Sequence, residues 1–74
     1  MKDKSYEILT TPVATLPVSE PFKEIFFTAG FKSLNDALQF EGDILINDFG
    51  FTYHTITELI TLLKQHGLEE LFKD

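Results

Sequence analysis

Cysteine and arginine are both missing from this chain of 74 residues. Without cysteine there is no disulfide framework and no thiolate metal site. Without arginine there is no side chain that reads a guanine edge through a bidentate fork. Positive charge is scarce altogether: six lysines stand against twelve acidic residues, for a formal net charge of −6. A polyanion binds by releasing counterions to clustered cations. Lys2, Lys4, Lys23, Lys32, Lys64 and Lys73 are too scattered to form a basic run. No apolar stretch approaches the length that spans a bilayer. Met1 to Glu7 carries no apolar core of the signal-peptide kind. A soluble cytoplasmic protein with no membrane partner is therefore expected. A Gly-rich phosphate loop, an internal repeat and a low-complexity segment are also missing.

The chain does hold eight phenylalanines and two tyrosines, which supply much of the volume of one small core. Per-residue scaling puts the stability of such a domain at about 4–11 kcal/mol. The run Thr55-Ile-Thr-Glu-Leu-Ile-Thr-Leu-Leu-Lys-Gln-His-Gly-Leu68 reads as a helix with both ends marked. Thr55 is a suitable N-cap, and Glu58, three residues on, completes a capping box. Ile56, Leu59, Ile60 and Leu63 recur at helical spacing. Gly67 suits the left-handed position past the helix end, and Leu68 is the apolar residue that folds back over it.

Upstream, residues 1–18 read as an extended arm packed on the domain, because Pro12 and Pro17 exclude a helix interior. Residues 19–74 read as a single helical domain. Its first helix spans 19–29, with Ser19 as N-cap, Pro21 in the tolerant first turn and Gly30 at the end. Phe22, Ile25, Phe26 and Ala29 share one face; Phe27 lies off it, as a second contact or an exposed aromatic. A second helix over 33–40 opens on Ser33, with Asp36 in a weak capping box. Asp43 can cap a single turn near 43–47. Asn47-Asp-Phe-Gly50 has turn chemistry. The last helix covers 55–66. The class is all-α, a compact domain of four to five helices with short connections.

This order of elements resembles the C-terminal domain of the bacterial RNA polymerase alpha subunit, from about Pro12 to Leu68. Pro12-Val-Ala-Thr-Leu-Pro-Val-Ser19 is similar to that family's arm and cap. Gly30-Phe31 followed by Ser33-Leu-Asn-Asp36 is similar to its junction into the second helix, with no gap from Ser19 to Asp36. Thr55-Ile-Thr-Glu-Leu59 through Gly67-Leu68 is similar to its last helix. Helix-hairpin-helix and sterile-alpha-motif domains share several of these features. The resemblance implies a role in bacterial transcription or its regulation. The family's DNA-contact positions carry over poorly. Its arginine falls on Pro21 and its asparagine on Glu24. With the register set by Glu58, the hairpin glycine falls on Thr52 and the lysine pair on Tyr53 and His54. The capping serine is matched by Thr55. Residues that serve the fold are kept, and residues that hold phosphates are not.

No catalytic, cofactor-binding or metal-binding residue is expected. His54 beside Tyr53 is the one candidate for acid–base work, but a surface imidazole is the plainer reading. His66 suits the negative end of a helix. Glu69-Glu70 and Glu41-Gly-Asp43 read as solvated caps and turns, and Ser19, Ser33 and Thr55 as caps rather than nucleophiles. Phe49, Phe51 and Tyr53 alternate through the hairpin, where aromatics can stack bases or anchor a protein partner. Phe49 reads as a core plug, while Phe51 and Tyr53 are left open between a place in the core and exposure to a partner. The expected function is protein–protein interaction through Phe51, Tyr53 and His54, with no enzymatic activity. DNA binding through the helix-hairpin-helix is the alternative, and a small enzyme subunit a distant third.

Overall fold

A computed structural model describes residues 6–73, and within them every regular element is helical. The arm residues 1–5 and Asp74 lie outside the described residues.

The described part of the arm departs from the extended form expected of it. It contains a single helical turn, α1 (Glu7–Thr10), and a 3-10 turn at Val13–Thr15. The prolines do limit helix there, but only by stopping it. Thr11 and Leu16, the residues before Pro12 and Pro17, are both extended, with ψ of 135° and 153°, because the proline ring clashes with a helical residue in front of it. Each proline thus ends a turn and leaves the turn itself intact. Ile8, Leu9, Val13 and Leu16 are buried in the core cluster, so the arm is part of the packing. It is pinned by the Val13 amide, which donates to the Lys32 carbonyl at 2.9 Å.

Helix α2 (Glu20–Ala29) forms as its sequence predicts. Ser19 is extended, its hydroxyl accepts from the Phe22 amide at 3.4 Å, and Pro21 sits in the first turn. Phe22 and Phe26 are fully buried, with Ile25 and Ala29 half-buried beside them. Helix α3 (Leu34–Ala37) is one turn, shorter than the expected 33–40. The Asp36 carboxylate reaches back past the cap and accepts from the Lys32 amide at 2.9 Å.

Helix α4 (Gly42–Phe49) is longer than the single turn expected at 43–47. It runs through Asn47 and Asp48 and stops only at the left-handed Gly50. Gly42 is inside this helix because the C-terminal segment crosses it closely. A Cβ there would lie 2.9 Å from the Phe72 ring, and the Gly42 amide donates to the Lys73 carbonyl at 2.9 Å.

Helix α5 (Tyr53–Gln65) starts two residues earlier than expected. Its N-cap is Thr52, not Thr55. The Thr52 hydroxyl accepts from the Thr55 amide at 3.1 Å, and the Thr55 hydroxyl lies 3.1 Å from it, buried at 1% exposure. The inward face is Thr55, Ile56, Leu59, Leu62 and Leu63, with Ile60 half-buried at its edge. The C-terminal end is as predicted. The Leu68 amide donates to the Leu63 carbonyl at 2.8 Å and Gly67 to Lys64 at 3.0 Å, with Gly67 at φ 71° and Leu68 buried. This is the Schellman arrangement, which satisfies the last carbonyls of the helix. A 3-10 turn at Glu69–Leu71 follows.

The elements close around an aromatic cluster. Phe22 stacks on Phe26 with centroids 4.7 Å apart, and Phe26 meets Phe51 at 5.3 Å. Phe31, Phe40 and Phe49 continue the cluster, with Phe49 4.9 Å from each of the other two. The Cα radius of gyration is 11.4 Å, close to the roughly 11 Å expected of one folded domain of this length.

Candidate functional site

The residues expected to meet a partner are separated by the fold. Phe51 is 3% exposed and plugs the core between Phe26 and Phe31, so it offers no surface. Of the two readings open for Phe51, a core plug or an exposed anchor, the structure has the core plug. The cause is the early start of α5. With Thr52 as cap, the loop between α4 and α5 holds only residues 50–52, and a ring in so short a loop turns inward. Tyr53 is 78% exposed, and His54 is also on the surface. Both lie in the first helical turn rather than at a hairpin tip. The register carried over from the polymerase family placed the cap at Thr55. The observed cap is three residues earlier, so the assignment of the hairpin positions to Thr52, Tyr53 and His54 loses its anchor.

Glu58, expected to serve its own helix, instead serves α2. One carboxylate oxygen accepts from the Ser19 amide at 2.7 Å and the other from the Ser19 hydroxyl at 2.8 Å. Both donors belong to the N-cap of a helix, where amides lack intrahelical acceptors. The carboxylate is thus a capping box completed from a second helix, and it ties α5 to α2. His54 Nε2 lies 4.0 Å from Glu58 Oε1, on an exposed side chain. Serine, glutamate and histidine meet here, but in an order unsuited to nucleophilic catalysis. That chemistry needs the imidazole against the hydroxyl, with the carboxylate behind it. Here the serine hydroxyl donates directly to the carboxylate and accepts from the Phe22 amide. Among the described residues no group of three or more His, Asp and Glu is placed to hold a metal ion.

A second feature of the surface lies where α2 meets the arm. It is an open groove of about 480 Å³ between α2 and the arm. Pro12, Val13 and Ala14 form the arm wall. Phe26 and Phe31 lie behind it, backed by the aromatic cluster, and Phe27 stands on the α2 wall. Phe27 is 84% exposed, directly beside Phe26 at 0%. The charged residues of its lining are Lys23, Glu24 and Lys32. Lys23 pairs with Glu20 at 3.9 Å across a turn of α2.

This groove was only partly legible in the sequence. Helical spacing marks Phe27 as lying off the buried face, but nothing local says that the arm runs alongside it. The bond from Val13 to Lys32 sets that placement, and it joins residues far apart in the chain. The chain matches no protein-family model, no curated protein and no solved structure. The resemblance to the polymerase alpha C-terminal domain therefore rests on the residue pattern alone.

Proposed function

We propose that this chain is a non-catalytic helical module that binds another protein, and that it does so at the groove between α2 and the arm. The observation that carries this reading is the Phe27 ring, 84% exposed on the wall of an apolar groove. Large aromatic rings are the usual anchors of protein interfaces, and the core of such an interface is depleted of charge. The placement in bacterial transcription or its regulation rests on the family resemblance. Tyr53 and His54, exposed at the start of α5, remain a second place of contact.

Charge weighs against duplex DNA as the partner. Among the described residues, lysines stand at 23, 32, 64 and 73 against ten acidic residues. Glu24 adds negative charge at the groove itself. Phosphate contacts supply most sequence-independent affinity, and a net charge of −6 opposes them at long range.

Two measurements test the proposal. A photo-crosslinking amino acid in place of Phe27, in cells that express the chain natively, is expected to give a discrete protein adduct that excess wild-type chain competes away. The same substitution at Thr61, on the exposed side of α5, is expected to give none. An NMR titration with an A/T-rich duplex at physiological salt is expected to leave the spectrum unchanged. Saturable shifts confined to residues 19–24 and 50–56 would restore DNA as the ligand and sink the protein-binding reading.

A further inference from the structure

The four glycines of the chain are of two kinds. Gly30, Gly50 and Gly67 are left-handed, and a Cβ added at any of them would meet nothing within 4 Å. Each is suited by its backbone conformation. Gly42 is the opposite case. It is helical and its φ is not positive, so its backbone accepts a side chain. Yet a Cβ there would lie 2.9 Å from the tip of the Phe72 ring and 3.7 Å from the Lys73 carbonyl oxygen. What Gly42 supplies is room. It makes a notch at the start of α4, and the segment after α5 is laid into it.

Two contacts hold that segment down. The Phe72 ring packs on the notch, and the Lys73 carbonyl accepts from the Gly42 amide at 2.9 Å. That amide is in the first turn of α4, where N–H groups have no intrahelical acceptor. The Glu41 side chain makes no cap bond either. The segment thus provides, from its main chain, an acceptor that α4 lacks.

Little else secures it. Glu69, Glu70 and Lys73 are exposed, and Leu71 and Phe72 are only half-buried. The bonds from Leu71 to Leu68 and from Phe72 to Glu69 close its own turn. Among the described residues no side-chain hydrogen bond and no ion pair joins residues 69–73 to the rest of the domain. A segment with few buried contacts opens at less cost than the domain as a whole.

We infer that residues 69–73 are a strap latched to α4 by Phe72 and the Lys73 carbonyl, and that the strap opens as a unit while the rest of the domain stays folded. Leu68, buried and bonded to Leu63, is the fixed end from which it swings. Opening frees the side chains of Leu71 and Phe72 and leaves the Gly42 amide to water. The strap is a device that withholds or presents an apolar pair, at a place apart from the groove beside Phe27.

The Gly42 amide is a direct reporter, because its acceptor is on the strap. Native-state hydrogen exchange of the full chain, followed by NMR in water and in low urea, reads it. In the wild-type chain this amide is expected to be protected, yet to exchange about tenfold or more faster than the Leu59 and Leu63 amides. Its rate is expected to depend weakly on urea, since opening the strap exposes little surface. The Leu59 and Leu63 rates are expected to rise steeply.

Phe72→Ala is expected to cut the protection of the Gly42 amide by about tenfold. Gly42→Ala is the sharper variant. Alanine is the better helix former, so α4 taken alone would gain. The Phe72 ring is what gives way to the new methyl group, and the amide at position 42 is expected to lose protection by about tenfold as well. Amide peaks of α5 that stay in place will show that both variants are folded.

Three results would overturn the inference. A Gly42 amide with the rate and urea slope of Leu59 means that the segment opens only with the whole domain. One with no protection in the wild-type chain means that the strap is not docked. Unchanged or greater protection in Gly42→Ala means that the ring shifts in place and the notch is no latch.

Discussion

The side of α2 that faces α5 and the side that faces the arm are built from interleaved residues of one short helix, yet they are finished differently. Toward α5, every group is matched. Phe22 and Phe26 stack and are sealed by Phe51, and the Ser19 amide and hydroxyl both meet the Glu58 carboxylate. Toward the arm, an apolar groove is left open and Phe27 stands in water. The seven other phenylalanines lie in the core or pack against it, so the exposed Phe27 is not needed to fill it. The contrast teaches that one side of this helix is optimised to hold the fold and the other is left available.

The comparison breaks most readily at Phe26. Phe26→Ala removes a ring with no solvent exposure that touches Phe22, Phe31 and Phe51. Truncation of a buried phenylalanine costs about 3–5 kcal/mol, a large share of the total for this domain. Urea denaturation is expected to show the variant largely unfolded or close to it. A loss comparable to that of a surface substitution would mean that the two sides of α2 do not differ in the way described.

Glu58 is the next test, because it closes the sealed side. Glu58→Ala leaves two half-buried donors on Ser19 without their acceptors. Hydrogen bonds to a charged group contribute about 1.5–3 kcal/mol, and a loss in this range is expected. Glu58→Gln keeps an acceptor for one donor and is expected to lose less. A double-mutant cycle with Ser19→Ala, read by denaturation, is expected to show strong coupling between the two positions. Independent effects would show that Glu58 acts elsewhere.

That pairing also shows where sequence reading stops. Ser19, Gly30 and Gly67 were legible because a cap or a left-handed turn is a local event, decided by a few adjacent residues. Glu58 was legible as a capping carboxylate but was assigned to Thr55, three residues before it. Its partner is Ser19, 39 residues away, which local spacing cannot reveal. Glu41-Gly-Asp43 reads as a solvated turn, yet Gly42 opens α4. The close crossing of Phe72 over Gly42 is a contact between distant parts of the chain, which local spacing does not reveal. Pro12 and Pro17 were read too strictly, as marks of an extended arm, when proline only forbids the helix from continuing through it. Of the candidate site residues, the sequence leaves the exposure of Phe51 and Tyr53 open, and the fold sends Tyr53 to the surface beside His54. Phe51 is sent inward, because whether an aromatic in a loop faces in or out depends on loop length, and that length hangs on the choice between Thr52 and Thr55.

The choice between those two threonines gives a smaller, sharper test of the α5 side. As N-cap, Thr52 fixes where the first turns of α5 begin, and so where Glu58 meets Ser19. Thr52→Ala is expected to cost about 1 kcal/mol, and Thr52→Ser close to nothing. Thr55 is buried and its hydroxyl is bonded to Thr52. If Thr52→Ala is silent in denaturation, the cap lies at Thr55 and the loop before α5 is longer than described.

The smallest expected effect is at Phe27, and it decides whether the open side is truly open. Phe27→Ala removes a ring that is 84% exposed, so little buried apolar area is lost. Alanine is also the better helix former, by roughly 0.5 kcal/mol in a helix interior. These terms act in opposite directions, and the net change in stability is expected within about 0.5 kcal/mol of zero, as for an ordinary surface substitution. Phe26→Ala, one residue away, differs by nearly the whole cost of a core cavity. If Phe27→Ala instead costs more than about 1 kcal/mol in urea denaturation, the ring is held against the arm in solution. That size of loss belongs to a packed contact and not to an exposed side chain. The groove would then be closed in the free protein, and any partner would have to open it before binding.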